Sequence, residues 1–366
     1  MSDLNLGLEK DFNDKDLEAK ETAYVKCSSC GANMVFDPIT QALKCDHCGA
    51  IEDFSKSKNV KELDILDSLK ERETWDKESL VYRCSNCGAV VVLNPNESAK
   101  KCPYCATSHI VKSEELAGLK PNAVYPFTLT ADDGIGKAKT WAKKRFFAPK
   151  KFKKSLLAEN MHGVYEPCFT FDSCTYSSYV GRIGKKHTRT IGSGKNRRTE
   201  TYIIWRSISG TYAYNFDDVM INATNSYAQK DLEKLKPFNY NTLSVYEQKF
   251  LTGFMAHRHE KSVNDSWEEA KDIMDAELKR KILSQYVYDV VDYIDISTTH
   301  ERVTYKYVLL PVYNLVFNYK KKPYNVYVNG NTGKVTGKTP VSALKVTLLV
   351  FGIIALLALL SLLANL

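Results

Sequence analysis

Four cysteine pairs place the tightest constraint on how this 366-residue chain can fold. Each pair has two intervening residues, and 14 residues separate the first pair from the second and the third from the fourth. The second set repeats the first at an offset of 57 residues, which indicates an internal duplication. The cysteines of the two sets are Cys27, Cys30, Cys45 and Cys48, then Cys84, Cys87, Cys102 and Cys105.

Each set supplies four thiolates at the spacing that a tetrahedral zinc site requires. Two cysteines separated by two residues can bind a metal from one tight turn, and a second pair completes the coordination shell. A closed four-sulfur shell leaves no position for a substrate, so the sequence predicts two structural Zn²⁺ ions. Two disulfide-stapled loops are the alternative, which the lack of a secretory signal in the first residues disfavours.

Short β segments accompany the cysteines. Residues 34–36 and 90–93 are predicted strands, and each is followed by a turn that contains proline. A module of about 25 residues buries too little apolar surface to fold alone, so metal binding is expected to supply much of its folding energy. The predicted order is a flexible N-terminus (1–23), a first zinc ribbon (24–52), a helical linker (53–80), a second zinc ribbon (81–110) and another linker (111–123).

Residues 124–340 are predicted to form one α+β domain that is mainly antiparallel. Runs of β-branched and aromatic residues predict strands at 164–171, 174–180, 201–205, 209–214, 302–310, 312–319 and 324–328. Apolar residues at helical spacing predict helices near 138–147, 245–258 and 265–285. Residues 329–333 predict a hairpin turn. Four further residues of metal-binding type are expected not to bind a metal: Cys168 and Cys174 as reduced core thiols, and His257 and His259 as surface histidines.

The end of the chain predicts a membrane anchor. Residues 346–366 are 21 residues without a charge, and at ~1.5 Å per residue they span roughly 31 Å, close to the hydrocarbon core of a bilayer. Lys334, Lys338 and Lys345 precede this segment, and positive flanks stay on the cytoplasmic side. The prediction is a single transmembrane tail anchor in the cell membrane, with the bulk of the chain cytoplasmic. A buried core or oligomerisation helix is the alternative.

The net charge of +8 is unevenly distributed. Residues 1–120 carry 16 basic and 21 acidic side chains, whereas residues 137–198 carry 16 basic and 3 acidic ones. Residues 181–198 are predicted to form a basic loop at a hairpin tip, which either is solvated or contacts an anionic lipid surface or another polyanion. The candidate contacts are Arg182, Lys185, Lys186, Arg189, Lys195, Arg197 and Arg198.

Motifs for catalysis are absent from the sequence. It contains no phosphate-binding loop, nucleophile elbow, zinc-protease motif or dinucleotide fingerprint. We therefore expect no enzymatic activity and no small-molecule substrate. A hydrolase in residues 124–340 would need a pocket with convergent titratable groups, which the sequence does not reveal.

Three segments of the chain suggest a family. They are Gly-Val-Tyr-Glu-Pro at 163–167, Leu-Leu-Pro-Val-Tyr at 309–313 and the stretch 326–342, which together follow the paired ribbons. This arrangement resembles the bacterial membrane-anchored zinc-ribbon proteins labelled after the zinc ribbon of transcription factor IIB, or as relatives of the primosomal replication helicase. The resemblance spans about residues 24–366. It implies a membrane-bound recruiter in envelope stress that gathers a phage-shock protein A-like or flotillin-like partner.

Two functions follow as expectations. The first is a tail-anchored cytoplasmic adaptor whose acidic ribbon half recognises protein partners. The second is a membrane-tethered regulator that binds nucleic acid through the basic region 137–198. Phosphate binding needs positive charge, which the ribbon half lacks, so nucleic acid is the less favoured partner.

Overall fold

A mostly antiparallel β structure dominates the chain in the computed structural model, as the sequence predicts for its main domain. The structure describes residues 25–66, 80–84, 90–93, 110–113, 119–156, 161–194, 197–225, 228–319 and 322–364. The predicted flexible N-terminus, residues 1–23, lies outside this part of the chain.

The elements follow the chain in order. The strands are β1 (Met34–Asp37), β2 (Ala42–Cys45), β3 (Ile51–Glu52), β4 (Leu63–Asp64), β5 (Leu80–Cys84), β6 (Val90–Leu93), β7 (Ile110–Ser113), β8 (Ala123–Val124), β9 (Met161–Ile191), β10 (Arg198–Asn222), β11 (Ser244–Val245), β12 (Met255–His257), β13 (Val290–Tyr319), β14 (Lys322–Asn329) and β15 (Val335–Gly337). The helices are α1 (Ala131–Lys143), α2 (Lys150–Lys154), α3 (Gln229–Leu235), α4 (Val263–Leu283) and α5 (Ala343–Ala364), with short 3₁₀ turns at Tyr240–Thr242 and Gln248–Leu251.

Three unusually long strands form the centre of the fold. The 31-residue β9 lies between β10, of 25 residues, and β13, of 30 residues, and pairs antiparallel with both. At ~3.3 Å per residue, the path along β9 is roughly 100 Å. We call residues 173–191, 198–216 and 290–301 of these strands the arm, and residues 182–194 and 197–205 the tip.

One face of the arm is covered and the other is open. From Ser173 to Ile183 the odd residues of β9 are buried and the even ones are half-buried or exposed, as expected for a strand with one covered face. The covered face packs against α4 through a cluster made of Tyr179, Ile183, Ile208, Ile282 and Leu283. Helix α4 itself starts at a side-chain cap, in which Ser262 accepts a hydrogen bond from the Asp265 N–H.

The part of the main sheet outside the arm, which we call the base, holds the aromatic core. Phe127 stacks on Phe254 with ring centroids 4.2 Å apart and contacts Tyr165 and Tyr313 at 5.0 and 4.7 Å. All four rings belong to the main buried cluster or pack against it. Aromatic pairs of this kind contribute about 1 kcal/mol each beyond their burial, so this cluster fixes the short segments that cross the sheet.

The first ribbon packs onto this core rather than standing apart from it. Phe36 of β1 lies 5.4 Å from Phe250, and Phe54 lies 5.0 Å from the same ring. The Phe36 N–H also donates to the Thr252 carbonyl at 2.9 Å. The apolar face of β1 is therefore part of the same buried cluster as the main sheet.

The strands of the second ribbon join the main sheet at its edge. Strand β5 pairs with β6 and β7, and β6 pairs antiparallel with β12. In the first ribbon Lys26 bridges Asn33, and in the second Arg83 lies opposite Val90. These two pairs are 57 residues apart, so the duplication read from the cysteines is also present in the strand register.

Several predicted elements are found where the sequence places them. The structure contains the predicted strands at 34–36 and 90–93 and the predicted helix at 265–285. The predicted strands between 302 and 328 are also present, and those at 302–310 and 312–319 form one continuous strand, β13. The turn at 329–333 is closed by a hydrogen bond from the Gly333 N–H to the Asn329 carbonyl. Cys168 is a fully buried free thiol, whereas Cys174 is free and half-buried.

Three predictions of local structure are wrong. The linker is not helical at residues 63–64, because these residues pair with β13 as β4. The helix at 245–258 is a 3₁₀ turn followed by β12, because β9 and β6 supply strand partners on both sides. The predicted loop at 181–198 is strand up to Ile191, since β10 pairs with this part of β9.

One predicted helix is present with shifted bounds. The helix near 138–147 starts earlier, at Ala131, and ends at Lys143.

Candidate metal centre and charged sites

The four cysteines of the first ribbon converge on one point. The Sγ atoms of Cys27 and Cys48 are 3.5 Å apart, as are those of Cys30 and Cys45, and all four lie within 4.8 Å of one another. Four sulfurs at ~2.3 Å from a tetrahedral zinc would be roughly 3.8 Å apart, whereas a disulfide needs ~2.05 Å. The four thiols are free. The donor set and its spacing therefore fit one four-sulfur zinc site rather than a disulfide-stapled loop.

Two tight turns position these four sulfur atoms. The Gly31 N–H donates to the Cys27 carbonyl at 2.8 Å, and the Gly49 N–H donates to the Cys45 carbonyl at 2.9 Å. Both glycines have a left-handed φ, of +71° and +76°, which other residues adopt only at a cost. The glycine after each cysteine pair of the first ribbon thus suits the turn that brings the pair together.

The turns favour the thiolate form at the first cysteine of each pair, whereas neighbouring thiols and burial outweigh the Ala32 and Ala50 N–H groups and raise the pKa of Cys30 and Cys48. Backbone N–H groups of Ser29 and Cys30 lower the pKa of Cys27 to about 7, against the opposing effect of burial. The N–H groups of Cys48 and His47 likewise lower the pKa of Cys45. Cys27 and Cys45, which begin the turns, are buried, whereas Cys30 and Cys48 are exposed. The site therefore lies between the interior of the ribbon and its surface.

The second set of cysteines stays a prediction. The backbone of Cys84 ends strand β5, while Cys87, Cys102 and Cys105 lie outside the described residues. What the structure adds is the repeated register of β5 and β6 described above, which places Cys84 where the duplication requires it.

A buried acid–base cluster was missed by the sequence analysis. His257 was predicted to lie on the surface, but its side chain is fully buried, with Nδ1 3.2 Å from Glu166 and Nε2 3.5 Å from Glu260. The correction has a simple cause, since β12 runs parallel to β9 and places His257 beside Glu166. Both ring nitrogens contact carboxylates and no part of the ring reaches solvent, so this cluster holds strands together.

The stability of the fold should depend on pH through this histidine. Burial opposes its charge, but hydrogen bonds with Glu166 and Glu260 outweigh burial and raise the pKa of His257 from 6.5 to about 9. A raised folded-state pKa stabilises below the unfolded value, so we expect about 3 kcal/mol to be present below pH 6.5 and lost between pH 6.5 and about 9.

Urea unfolding of the full chain across that pH range measures this loss. The double variant Glu166→Gln/His257→Gln removes both charges and should flatten the difference. An equal fall in stability with pH in the double variant would show that other groups are responsible.

A second buried charge network binds the linker to the sheet. The Lys306 ammonium lies 2.9 Å from Asp218, 3.1 Å from Asp172 and 3.1 Å from Glu62 of the linker. Although burial opposes its charge, Asp218 and Asp172 raise the pKa of Lys306 above its usual range. Asp172, Asp217 and Asp218 are close enough to bind a cation, but the Lys306 side chain already supplies one there. We assign no metal to this cluster.

The basic region 137–198 separates into two surfaces. Four of the predicted contacts lie on β9 in the tip of the arm: Arg182, Lys185, Lys186 and Arg189. Arg198 begins β10, Arg197 immediately precedes it, and Lys195 is outside the described residues. The remaining nine basic residues, from Lys137 to Lys154, lie on α1, α2 and the turn between them.

Aromatic residues that the sequence analysis overlooked lie among the tip cations. The Arg182 guanidinium is 5.1 Å from the Trp205 ring, and that of Arg189 is 5.6 Å from the Tyr202 ring. The rings come from β10, outside the window 181–198 in which aromatic residues are lacking. Trp205 and Tyr202 are 37% and 40% exposed, so the tip offers both charge and π surface. Whether the tip binds lipid or another polyanion stays a prediction.

The C-terminal helix has the properties of a membrane span. Within the described part of the chain it is the one helix long and apolar enough to cross a bilayer, over Ala343–Ser361, with a mean hydropathy of 2.6. None of this segment is buried against the protein, so the core-helix alternative finds no support in the packing.

Comparison with known proteins places the chain near a protein of similar length. It is 27% identical over 326 residues to the uncharacterized protein YdjG of Bacillus subtilis (strain 168), an alignment that covers 88% of this chain and 91% of that protein. No family model matches the chain. No solved structure matches it either.

Proposed function

We propose that the protein is a membrane-anchored adaptor that holds cytoplasmic protein partners at the cell membrane. One observation carries the proposal most directly, which is that the exposed apolar helix α5 and the first ribbon are both attached to the base of the sheet. This geometry suits presentation of the ribbon beside a bilayer. The bulk of the chain is cytoplasmic in this proposal, in agreement with the lysines before α5.

Two zinc ribbons provide the recognition surface of the proposed adaptor. The fitted four-sulfur geometry of the first ribbon supports one zinc, and the repeated register supports a second zinc in the other. The acidic excess of residues 1–120 suits partners with basic surfaces. By family resemblance, the proposed partners are phage-shock protein A-like or flotillin-like proteins in an envelope-stress response.

Capture of partners from intact membranes tests this proposal. Cross-linking to the full chain, followed by identification of the captured proteins, should enrich a protein of one of these two classes. The variant Cys45→Ser should lose that partner while remaining in the membrane fraction. Extraction of the intact chain from membranes by alkaline carbonate, or capture that does not change when the ribbon is lost, would contradict the proposal.

A membrane-tethered regulator that binds nucleic acid is the second candidate. The observation in its favour is the tip, where Arg189 lies over Tyr202 and Arg182 lies over Trp205, so that half-exposed rings and cations share one surface. Retention of the full chain on single-stranded DNA or RNA should then fall steeply with salt. Neutralising Lys185, Lys186 and Arg189 should weaken it further, whereas Cys45→Ser should not.

A further inference from the structure

A strongly basic surface surrounds the point where α5 leaves the domain. Between residues 143 and 154 there are seven basic side chains and no acidic one. We call this segment the anchor-side patch. Six of the seven are exposed and Lys153 is half-buried; they are Lys143, Lys144, Arg145, Lys150, Lys151, Lys153 and Lys154.

Hydrogen bonds fix the anchor-side patch to the first turn of α5. The Lys345 ammonium donates to the carbonyls of Phe146 and Ala148 at 2.7 and 2.8 Å. The Ser342 N–H donates to the Phe147 carbonyl at 2.9 Å. On its other side the patch is held to the sheet, since the buried Phe152 contacts Phe317 of β13 with ring centroids 5.4 Å apart. The patch therefore has a defined position beside the start of the apolar helix.

Aromatic side chains interrupt the basic residues on the outer side of this patch. Phe146 is 65% exposed and Phe147 is 36% exposed, and the two rings meet edge to face. The Arg145 guanidinium lies 4.7 Å from the Trp141 ring. Exposed aromatic rings beside cations are costly in water but suit the boundary between headgroups and acyl chains, where rings enter the bilayer and charged groups meet phosphates.

We propose that the anchor-side patch binds the anionic lipid headgroups of the bilayer in which α5 is embedded. The inference depends on the proposed membrane anchoring and adds a second, headgroup-specific contact to it. Continuity decides the occupant: the patch touches the first residues of α5, so insertion of the helix brings these cations to the headgroup layer. Cations near an anionic leaflet are attracted within a Debye length, about 8 Å at physiological salt.

The same argument separates this patch from the basic tip. Met161, at the start of β9, lies opposite Leu315, two residues before the Phe317 that contacts the patch, whereas most of the tip lies beyond Gly184. The path between Met161 and Gly184 is 23 residues of strand, or roughly 75 Å at ~3.3 Å per residue. The tip and the patch therefore meet different surroundings, although the sequence joins them in one basic window.

Hydrogen exchange of the full chain in nanodiscs tests the proposal. Discs of phosphatidylcholine are compared with discs that also contain phosphatidylglycerol. Amides of residues 143–151 should exchange about tenfold more slowly in the anionic discs, and high salt should remove the difference. Neutralising three exposed cations, in Lys143→Gln/Lys144→Gln/Arg145→Gln, should abolish the protection without releasing the chain from the disc.

The arm supplies a matched control with the same change of charge. Lys185→Gln/Lys186→Gln/Arg189→Gln should leave the protection at residues 143–151 intact. Equal exchange in neutral and anionic discs, or protection that survives neutralisation of the patch, would overturn the proposal. So would equal protection by inorganic phosphate added to neutral discs, since the site would then bind free anions. A chain that fails to enter discs of either kind would instead contradict membrane anchoring itself.

Discussion

Replacing Cys45 by serine should remove one equivalent of bound zinc and unfold the first ribbon. Cys45 is fully buried, and its sulfur lies 3.5 Å from that of Cys30 in a four-thiolate cluster that fits one metal ion. Structural zinc contributes on the order of 10 kcal/mol to the folding of such small modules, because the ligands are not assembled in the unfolded chain. Metal analysis of the purified full chain measures the loss.

The control is another cysteine that the cluster does not use. Cys174 is a free, half-buried thiol on β9, so Cys174→Ser removes a sulfur without touching the metal site. Its zinc content should match that of the unmodified chain. A Cys45→Ser protein that retains full zinc would rule out the assignment of this cluster as a zinc site.

Loss of the metal should also loosen the main sheet near the ribbon. Phe36 and Phe54 both contact Phe250, so an unfolded ribbon leaves this ring without its cover. Amides of residues 248–257 should then exchange faster, while amides of residues 290–301, in the arm part of β13, should change little. This spread follows from the shared core and would not occur in two independently folded units.

Replacing Lys306 by methionine is expected to destabilise the fold by about 3 kcal/mol. The substitution keeps the volume but removes the cation among Asp172, Asp218 and Glu62, so two largely buried carboxylates lose their counter-charge. Urea unfolding of the full chain in detergent measures the change. The linker should loosen but stay attached, because Glu62 loses its ion pair with Lys306 and keeps a hydrogen bond of 2.8 Å from Thr304.

An exposed ion pair provides the comparison. Lys261 lies 2.6 Å from Glu269, but both side chains reach solvent, so Lys261→Met should cost less than about 1 kcal/mol. If the two variants were equally stable, burial would not be the cause of the Lys306 effect. Partial recovery of Lys306→Met by adding Asp218→Asn would support the counter-charge explanation.

The metal site was predictable because the spacing of its cysteines along the sequence indicates it. Two cysteines per turn, a glycine after the turn and a second pair at a fixed distance are local features, and the structure assembles the first set from them without rearrangement. The prediction for the apolar tail also used only local features, since a candidate membrane span is recognised by its length and composition. Neither inference needed knowledge of which segments meet in the fold.

The arm was not predictable by the same means, because its strands are defined by their neighbours. Gly181, Gly184 and the lysines that follow are typical of a loop, yet all are strand residues. A Cβ at Gly184 would lie 2.4 Å from Ile203 and 2.8 Å from Trp205, so the glycine makes room for side chains of β10. A close approach of this kind depends on pairing between distant segments, which no local pattern contains.

The prediction that His257 lies on the surface was wrong for a related reason. A histidine near charged residues is usually solvated, and only the pairing of β12 with β9 brings His257 to Glu166. One signal was available, since Glu166 is a lone acid in the apolar run Val164 to Phe169 and a buried acid needs a partner. A search for the base that satisfies it would have reduced the choice to a few residues.

The attachment of the second ribbon to the main sheet has a consequence for how that ribbon can vary. Its strand β6 pairs with β12 through the backbone, with Val92 opposite Ala256. Main-chain pairing tolerates many side chains, because the hydrogen bonds are made by groups that every residue except proline carries. Substitutions on β6 other than proline should therefore leave this junction in place.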